Sequence, residues 1–302
     1  MILFGGLSTV MDDFLRDQSF RLDATGPGRI QLVGIRGCKI LRGAGRVLGL
    51  SLADKPEAIT NRYDDTMLVY GQKGFGERFS AVYPMSTQPG LKSFWLSCYR
   101  PRNEGCPVVQ AGQYAYERGL HKQKYQAIRQ AGPVVALRDI DQDANIEPDS
   151  DRWDYPRWTG INIHAGGSSA RVDYYSAGCQ VIQGGYGGAA WKQFRHFVYE
   201  IAAEQKVFHY TLVDGHCFGC WFNARQGASG ISLRRLYYGS QGEQVKALQR
   251  ALEGQGCYHA RGIDGNFGVE THKAVRRLQR ERGERQTGVA LQTMFENGGG
   301  ET

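Results

Sequence analysis

"INIHAGGSSARVDYYSAGCQVI", residues 161–182, sets His164 fifteen positions before Cys179, with glycines and serines crowded between them. Its two ends read as strand and its middle does not. Over GINIH, residues 160–164, the strand period of two sends Ile161 and Ile163 to one face and Asn162 and His164 to the other. With the isoleucines on the core, the imidazole emerges on the open side. The Gly- and Ser-rich middle cannot sustain a strand, so the chain loops out and returns through DYYSAGCQVI, residues 173–182. That return brings Cys179 back beside His164.

A thiol with an ordinary pKa near about 8.5 is mostly protonated at neutral pH, and an adjacent imidazole makes it a nucleophile. Gly178, free of a Cβ, lets the Gly178 and Cys179 amides point together at a developing oxyanion. Nucleophile, base and oxyanion donors for acyl transfer are therefore all in this stretch. The plainer reading makes Cys179 a small buried hydrophobe and His164 a hydrogen-bonded strand residue.

Outward from this stretch, residues 1 to about 235 alternate β-branched and aromatic runs with turns: RIQLVGIRG, TMLVYG, FSAVYP, SFWLSCY, PVVALRDI, GINIH, CQVI and VFHYTLVDG. This half is expected to be mainly β. Its one persuasive helix is GGAAWKQFRHFVYEIAAEQK, where Phe194, Phe197, Val198 and Ile201 make a single apolar stripe. After a joint at RQGASGISLRR the pattern changes. Val245, Leu248 and Leu252, then Ala274, Val275 and Leu278, fall at helical spacing, and IDGNFG between them supplies a turn at Asp264 and Gly265 and an apolar plug at Phe267.

GEQVKALQRAL and IDGNFGVETHKAVRRLQRERG resemble the small three-helix peptidoglycan-binding module appended to many wall enzymes. The resemblance spans residues 236–298 and implies an all-α domain that holds the wall near Asp264, Gly265 and Phe267. INIHAGG followed by YSAGCQVI resembles the L,D-transpeptidase catalytic domain of the YkuD type, assigned here to residues 1–232, which implies a β-sandwich with a few helices. The same resemblance makes Cys179 the nucleophile, His164 its base, Ser176 a residue that sets loop and imidazole geometry, and Gly178 part of the oxyanion hole. Family members follow the cysteine with an apolar residue and an arginine. Here Gln180 and Val181 stand there, and Arg171 is the residue expected to substitute in space. Tyr175 and Gln180 join Arg171 as substrate-side residues, although Tyr174 and Tyr175 also read as half-buried strand positions.

The implied enzyme attacks the carbonyl of the position-3 diamino acid of a peptidoglycan tetrapeptide stem and expels D-Ala. Water as acceptor gives an L,D-carboxypeptidase, a stem amine a transpeptidase, and a free D-amino acid an exchanger. No metal or organic cofactor is needed for that chemistry. The rivals are a cysteine endopeptidase or amidase and a non-catalytic wall-binding protein.

The charge of +7 divides as 28 basic less 22 acidic residues before Leu236, or +6, and 9 less 8 from there on, or +1. That bias is mild, and Glu281 and Glu284 interleave the arginines at 276, 277, 280, 282 and 285, which argues against a nucleic-acid face and for a solvated one; the expected polymer is the peptidoglycan that the resemblance implies. No apolar run is long enough for a membrane-spanning helix. The start, MILFGGLSTVMDDFLRD, carries no basic residue ahead of its apolar stretch, so no classical leader is expected. A phage lysis or tail protein, or an effector acting in a rival's periplasm, fits that expectation. Of the seven cysteines only Cys217 and Cys220 are closely spaced, half a zinc site at most. His121, His196, His209 and His216 have no partner legible in the sequence.

Overall fold

The computed structural model describes residues 2–3, 6–43, 46–52, 59–74, 76–95, 105–156, 160–228 and 234–295. The chain runs β1 (Ile2–Leu3), α1 (Leu7–Asp17), β2 (Arg29–Arg36), β3 (Cys38–Gly43), β4 (Arg46–Leu52), β5 (Asp65–Lys73), β6 (Glu77–Ser86), α2 (Leu91–Trp95), β7 (Pro107–Val109), β8 (Gly112–His121) and β9 (Tyr125–Gln130). It continues through β10 (Ala136–Arg138), β11 (Arg152–Asp154), β12 (Ile163–Ala165), β13 (Gln180–Ile182), α3 (Ala189–His196), β14 (Phe208–Asp214) and α4 (Gly215–Asn223). The last section holds β15 (Arg235–Leu236), α5 (Glu243–Gly254), α6 (Val269–Glu281) and β16 (Ala290–Leu291).

The main sheet closes on itself in the order β12-β13-β6-β5-β2-β14-β8-β9. The expected β-sandwich is thus replaced by a barrel, because β12 pairs with β13 on one side and reaches β9 on the other through Ile163 and Ile128. Two neighbours run parallel, β12 with β13 and β14 with β2, and the others are antiparallel.

Strand alternation divides the side chains between two cores. Ile30, Leu32, Met67, Val69, Tyr114, Tyr116, Tyr210 and Leu212 fill the inner one. Their sequence neighbours Val33, Ile35, Leu68, Tyr70 and Val213 belong to a second core with Leu7, Met11 and Phe14 of α1 and Phe218 and Trp221 of α4. The inner core is tight at Gly34, where a Cβ would collide with the Tyr210 hydroxyl.

The predicted helix is present as α3 continued by a π turn at Phe197–Ile201, and Phe194, Phe197 and Val198 enter the inner core. Several elements escape the sequence reading, β3 and β4 among them. Helix α1 lies in the apolar start and α4 begins in HCFGC, neither of which the pattern marks as helix, and the long β8-β9 hairpin runs through GQYAYERGLHKQKYQAIRQ. Conversely, SFWLSCY begins within α2 and not in a strand, and its remainder, with Cys98, lies outside the described residues. Residues 229–233 of the joint and 296–298 of the module also lie outside them.

Among its described residues the C-terminal module has two α-helices, α5 and α6, around Leu248, Leu252, Phe267, Val275 and Leu278. Where a third helix is expected, the described residues show a short 3-10 turn at Gln292–Met294 beside the β15-β16 pair. Gly288, in the left-handed region at φ 71°, lets the chain turn closely against His272 before β16. The module is packed on the barrel. Tyr238 stacks on Tyr114 and Tyr237 on Phe20. His272 Nδ1 shares a hydrogen bond with Tyr155 Oη, 3.0 Å away, and the Arg276 guanidinium lies 4.2 Å over the Trp153 ring.

Candidate active site

β12 and β13 carry the two residues singled out by the sequence. Their parallel register sets Ile163 opposite Gln180 and His164 opposite Val181, so Cys179 at the head of β13 lies next to the start of β12. The nearest ring nitrogen of His164 and the Cys179 sulfur fall within 4.8 Å of one another. Ile161 and Ile163 point into the inner core, with Asn162 and His164 on the opposite face, as the period of two requires. That face is not open, however: Asn162 and His164 are both buried. The covering group is His121, at the end of β8, whose ring stacks on His164 at 4.0 Å between centroids.

His164 Nδ1 lies 2.8 Å from the Ala165 carbonyl, which fixes the proton on Nδ1 and leaves Nε2 as the acceptor. Nε2 is buried without a hydrogen-bond partner among the described residues, and so are the hydroxyls of Tyr116 and Tyr186. Both tyrosines lie within electrostatic reach of Cys179. The thiol itself points to the Gly160 carbonyl at 3.3 Å and accepts from the Asn162 backbone amide at 3.5 Å. Burial pushes the Cys179 thiol up to about 11, against the lowering effects of the Asn162 amide and the Lys122 charge. Burial, followed by the neighbouring His121, brings His164 down to about 3. The resting pair is a neutral thiol and a neutral imidazole, in contrast to the low-pKa thiolate that the motif suggests.

The loop between the strands is held from several sides. Ser176 Oγ donates to the Cys179 carbonyl at 2.7 Å and accepts from the Gly178 amide at 3.1 Å. Ser176 thus ties the two ends of this turn together, and the Gly178 amide is engaged by it and is not a free oxyanion donor. Gly178 sits at φ 129°, and a Cβ there would meet the Pro107 carbonyl at 2.8 Å. Asn61 Oδ1 accepts from the Asp173 and Leu91 amides, Asn61 Nδ2 donates to Asp173, and the Gly167 amide donates to Tyr63 Oη at 2.7 Å. Ser93 Oγ donates to the Ser176 carbonyl at 2.7 Å, and the Gly90 amide donates to the same carbonyl. The segments that carry Asn61 and Tyr63 and that carry Gly90 and Ser93 thus clamp the cysteine loop.

The remaining predicted residues divide. Gln180 is fully buried, with Tyr210 Oη donating to its Oε1 at 3.1 Å, so it braces the barrel and faces no substrate. Tyr174 and Tyr175 are exposed on the turn after Asp173 and are not half-buried strand residues, since the turn carries them off the sheet. Tyr175 packs against Gly167, on the rim of the loop. Arg171 is exposed, its backbone bridged to Arg62 and its charge acting on Asp173, not on Cys179. In the module, Phe267 is core, Gly265 forms the turn at φ 75°, and Asp264 accepts from Gln249 Nε2 at 2.9 Å. Phe267 is therefore a packing residue. Asp264 also lines a cavity of about 550 Å³ with Tyr258, Asn266, Lys273 and Arg277.

Of the histidines without a legible partner, His121 belongs to the site, His196 pairs with Glu200, His209 with Asp23, and His216 lies 3.6 Å from Cys220. The six described cysteines are all free thiols. No described helix is long and apolar enough to cross a membrane.

Residues 241–290 match the family described as a putative peptidoglycan binding domain. No curated protein and no solved structure matches the chain. The C-terminal section is thus a peptidoglycan-binding module, on a chain whose larger part is mostly β.

Proposed function

We propose that this protein is a cysteine-dependent enzyme of peptidoglycan stem peptides, acting at the bond between the position-3 diamino acid and D-Ala. The observation that carries the reading is the His164 ring, with a ring nitrogen within 4.8 Å of the Cys179 sulfur and its Nε2 buried without a partner among the described residues, in a chain whose other section is a peptidoglycan-binding module. A base poised with its lone pair free and its other nitrogen fixed by a carbonyl is the arrangement that thiol activation requires.

Because both groups rest neutral, the proton moves as the thiol attacks. The Cys179 sulfur bonds to the stem carbonyl carbon, the thiol proton passes to His164 Nε2, and the carbonyl electron pair develops on oxygen. With the Gly178 amide engaged by Ser176, the Cys179 amide and the unpartnered Tyr186 hydroxyl are the donors proposed for that oxygen. Collapse breaks the C–N bond, and His164 returns its proton to the departing D-Ala amine. Water, a stem amine or a D-amino acid then releases the acyl group. An antibacterial effector or a phage lysis protein is the role this chemistry suits.

The test is mass spectrometry of disaccharide-tetrapeptide incubated with the wild-type chain and with Cys179→Ala, with and without added D-amino acid. Loss or replacement of D-Ala, or a crosslinked dimer, by wild type alone supports the proposal and identifies the acceptor. An untouched tetrapeptide together with cut crosslinks in sacculi refutes it in favour of an endopeptidase or amidase. Unchanged tetrapeptide and sacculi leave a wall-binding protein.

A further inference from the structure

His121, His164 and Cys179 come from three separate strands or strand ends, yet their ligand atoms lie within 4.8 Å of one another. His164 is prepared as a ligand: the Ala165 carbonyl holds Nδ1, and Nε2 is buried with nothing bound to it among the described residues. A backbone carbonyl on the second nitrogen is the usual support of a metal-bound imidazole, because it fixes tautomer and ring orientation. His121 is half-buried, and its Nδ1 lies 3.1 Å from the Asn162 side-chain amide nitrogen. It stands just before Lys122 and Gln123, both in the left-handed region at φ 52° and 56°.

Two imidazole nitrogens and one thiolate sulfur form a donor set that suits a borderline-soft cation and not Mg²⁺ or Ca²⁺. A tetrahedral Zn²⁺ with bonds of about 2.0–2.3 Å holds its ligand atoms roughly 3.3–3.8 Å apart. Closing the cluster therefore needs a movement on the order of 1 Å from the present spacing, in which the His121 ring at its strand end turns out of its stack on His164 and gives up the Asn162 amide contact at Nδ1. Three protein ligands leave the fourth position for water, as in open zinc sites.

We propose that His121, His164 and Cys179 bind Zn²⁺ and that its occupancy caps the Cys179 thiol. Binding forms one Zn–S and two Zn–N bonds, and the thiol proton leaves to solvent, so no redox partner is involved. The site stands on geometry alone and holds whether or not Cys179 is a nucleophile. If it is, a zinc-loaded chain is unable to form the acyl-enzyme until the metal is withdrawn.

Calorimetric titration of the full chain with Zn²⁺, and with Co²⁺ read by absorbance, tests this directly. One equivalent is expected, with a near-ultraviolet thiolate-to-cobalt band. Cys179→Ser and His121→Ala each weaken binding by at least about tenfold, the range that even supporting residues of a zinc site command. His216→Ala/Cys220→Ser leaves it unchanged. On unsubstituted protein, where folding is not in question, Zn²⁺ slows iodoacetamide labelling of Cys179 as mapped by peptide mass. Absence of binding, binding retained in Cys179→Ser, or labelling of Cys179 unaffected by Zn²⁺ overturns the proposal.

Discussion

Cys179 and His164 are paired in space but tuned apart. The same burial that raises the thiol to about 11 lowers the imidazole to about 3, since an enclosed site disfavours the charged form of each. Iodoacetamide labelling of Cys179 is accordingly slow at pH 7 and climbs about tenfold per pH unit toward 11. A rate already level at pH 8 contradicts this. On the acid side His164 remains deprotonated as the pH falls through 6.5. Activity on tetrapeptide is expected to keep its kcat/KM down to about pH 5 as far as His164 is concerned, and half-loss near the ordinary histidine pKa contradicts the burial. Gly178→Ala forces a Cβ toward Pro107 at a left-handed φ, a cost of about 1–3 kcal/mol, read as a lowered Tm together with faster Cys179 labelling as the loop loosens.

The β12-loop-β13 unit owes its shape to elements far away in sequence. A loop rich in glycine and serine has much conformational entropy to lose, and Asn61, Tyr63, Gly90 and Ser93 hold it in place from the segments flanking β5 and β6. Asn61→Ala removes the hydrogen bonds to the Asp173 amide, the Asp173 carboxylate and the Leu91 amide at once, so both amides must find other partners. The expected cost is about 1–3 kcal/mol in stability, with new proteolytic nicks in the stretch from Gly166 to Gly178. Equal Tm and an unchanged digestion pattern argue that the loop is held without it. The β8-β9 hairpin has a comparable role on the other side, because it delivers His121 to the face that β12 alone leaves open.

Across the molecule, the peptidoglycan-binding module is docked and not merely tethered. Ser240 Oγ donates to the Gln18 carbonyl at 2.7 Å, the Gln241 amide donates to the Ser19 carbonyl, and Tyr238 covers Tyr114. Removing residues 236–302 is therefore expected to lower the Tm of the remaining barrel by several degrees as well as to abolish sedimentation with sacculi, and loss of sedimentation at unchanged Tm contradicts the docking. His272, buried at this joint between Tyr155, Trp153 and Gly288, is lowered to about 3 by burial and then by Arg276. Its folded pKa lies below the unfolded value near 6.5, so the unfolded chain takes up the proton first. Stability is full above about pH 6.5 and is lost as the pH falls toward 3. A Tm that drops between about pH 6.5 and 4, and drops less in His272→Asn, is the expected outcome.

Local patterns in the chain were enough to mark part of its elements. Period-two runs marked β2, β5, β6 and β14, the 3.6-residue stripe marked α3, and the Leu248, Leu252, Val275 and Leu278 spacing marked the wall-binding module. The order of residues also brought His164 and Cys179 to adjacent strands, since a single loop joins them. Closure of the sheet was legible only in three dimensions, because one contact between Ile163 and Ile128 makes a barrel where the pattern alone allows a sandwich. The same holds for Phe267 and Gln180 as packing residues and for His121 as the group that completes the cysteine site. Burial and pairing across 43 to 58 positions, from His121 to His164 and Cys179, are sums over the whole fold. The protonation states follow from the same sums, for a pKa is set by the water a folded chain excludes and not by the residues next in line.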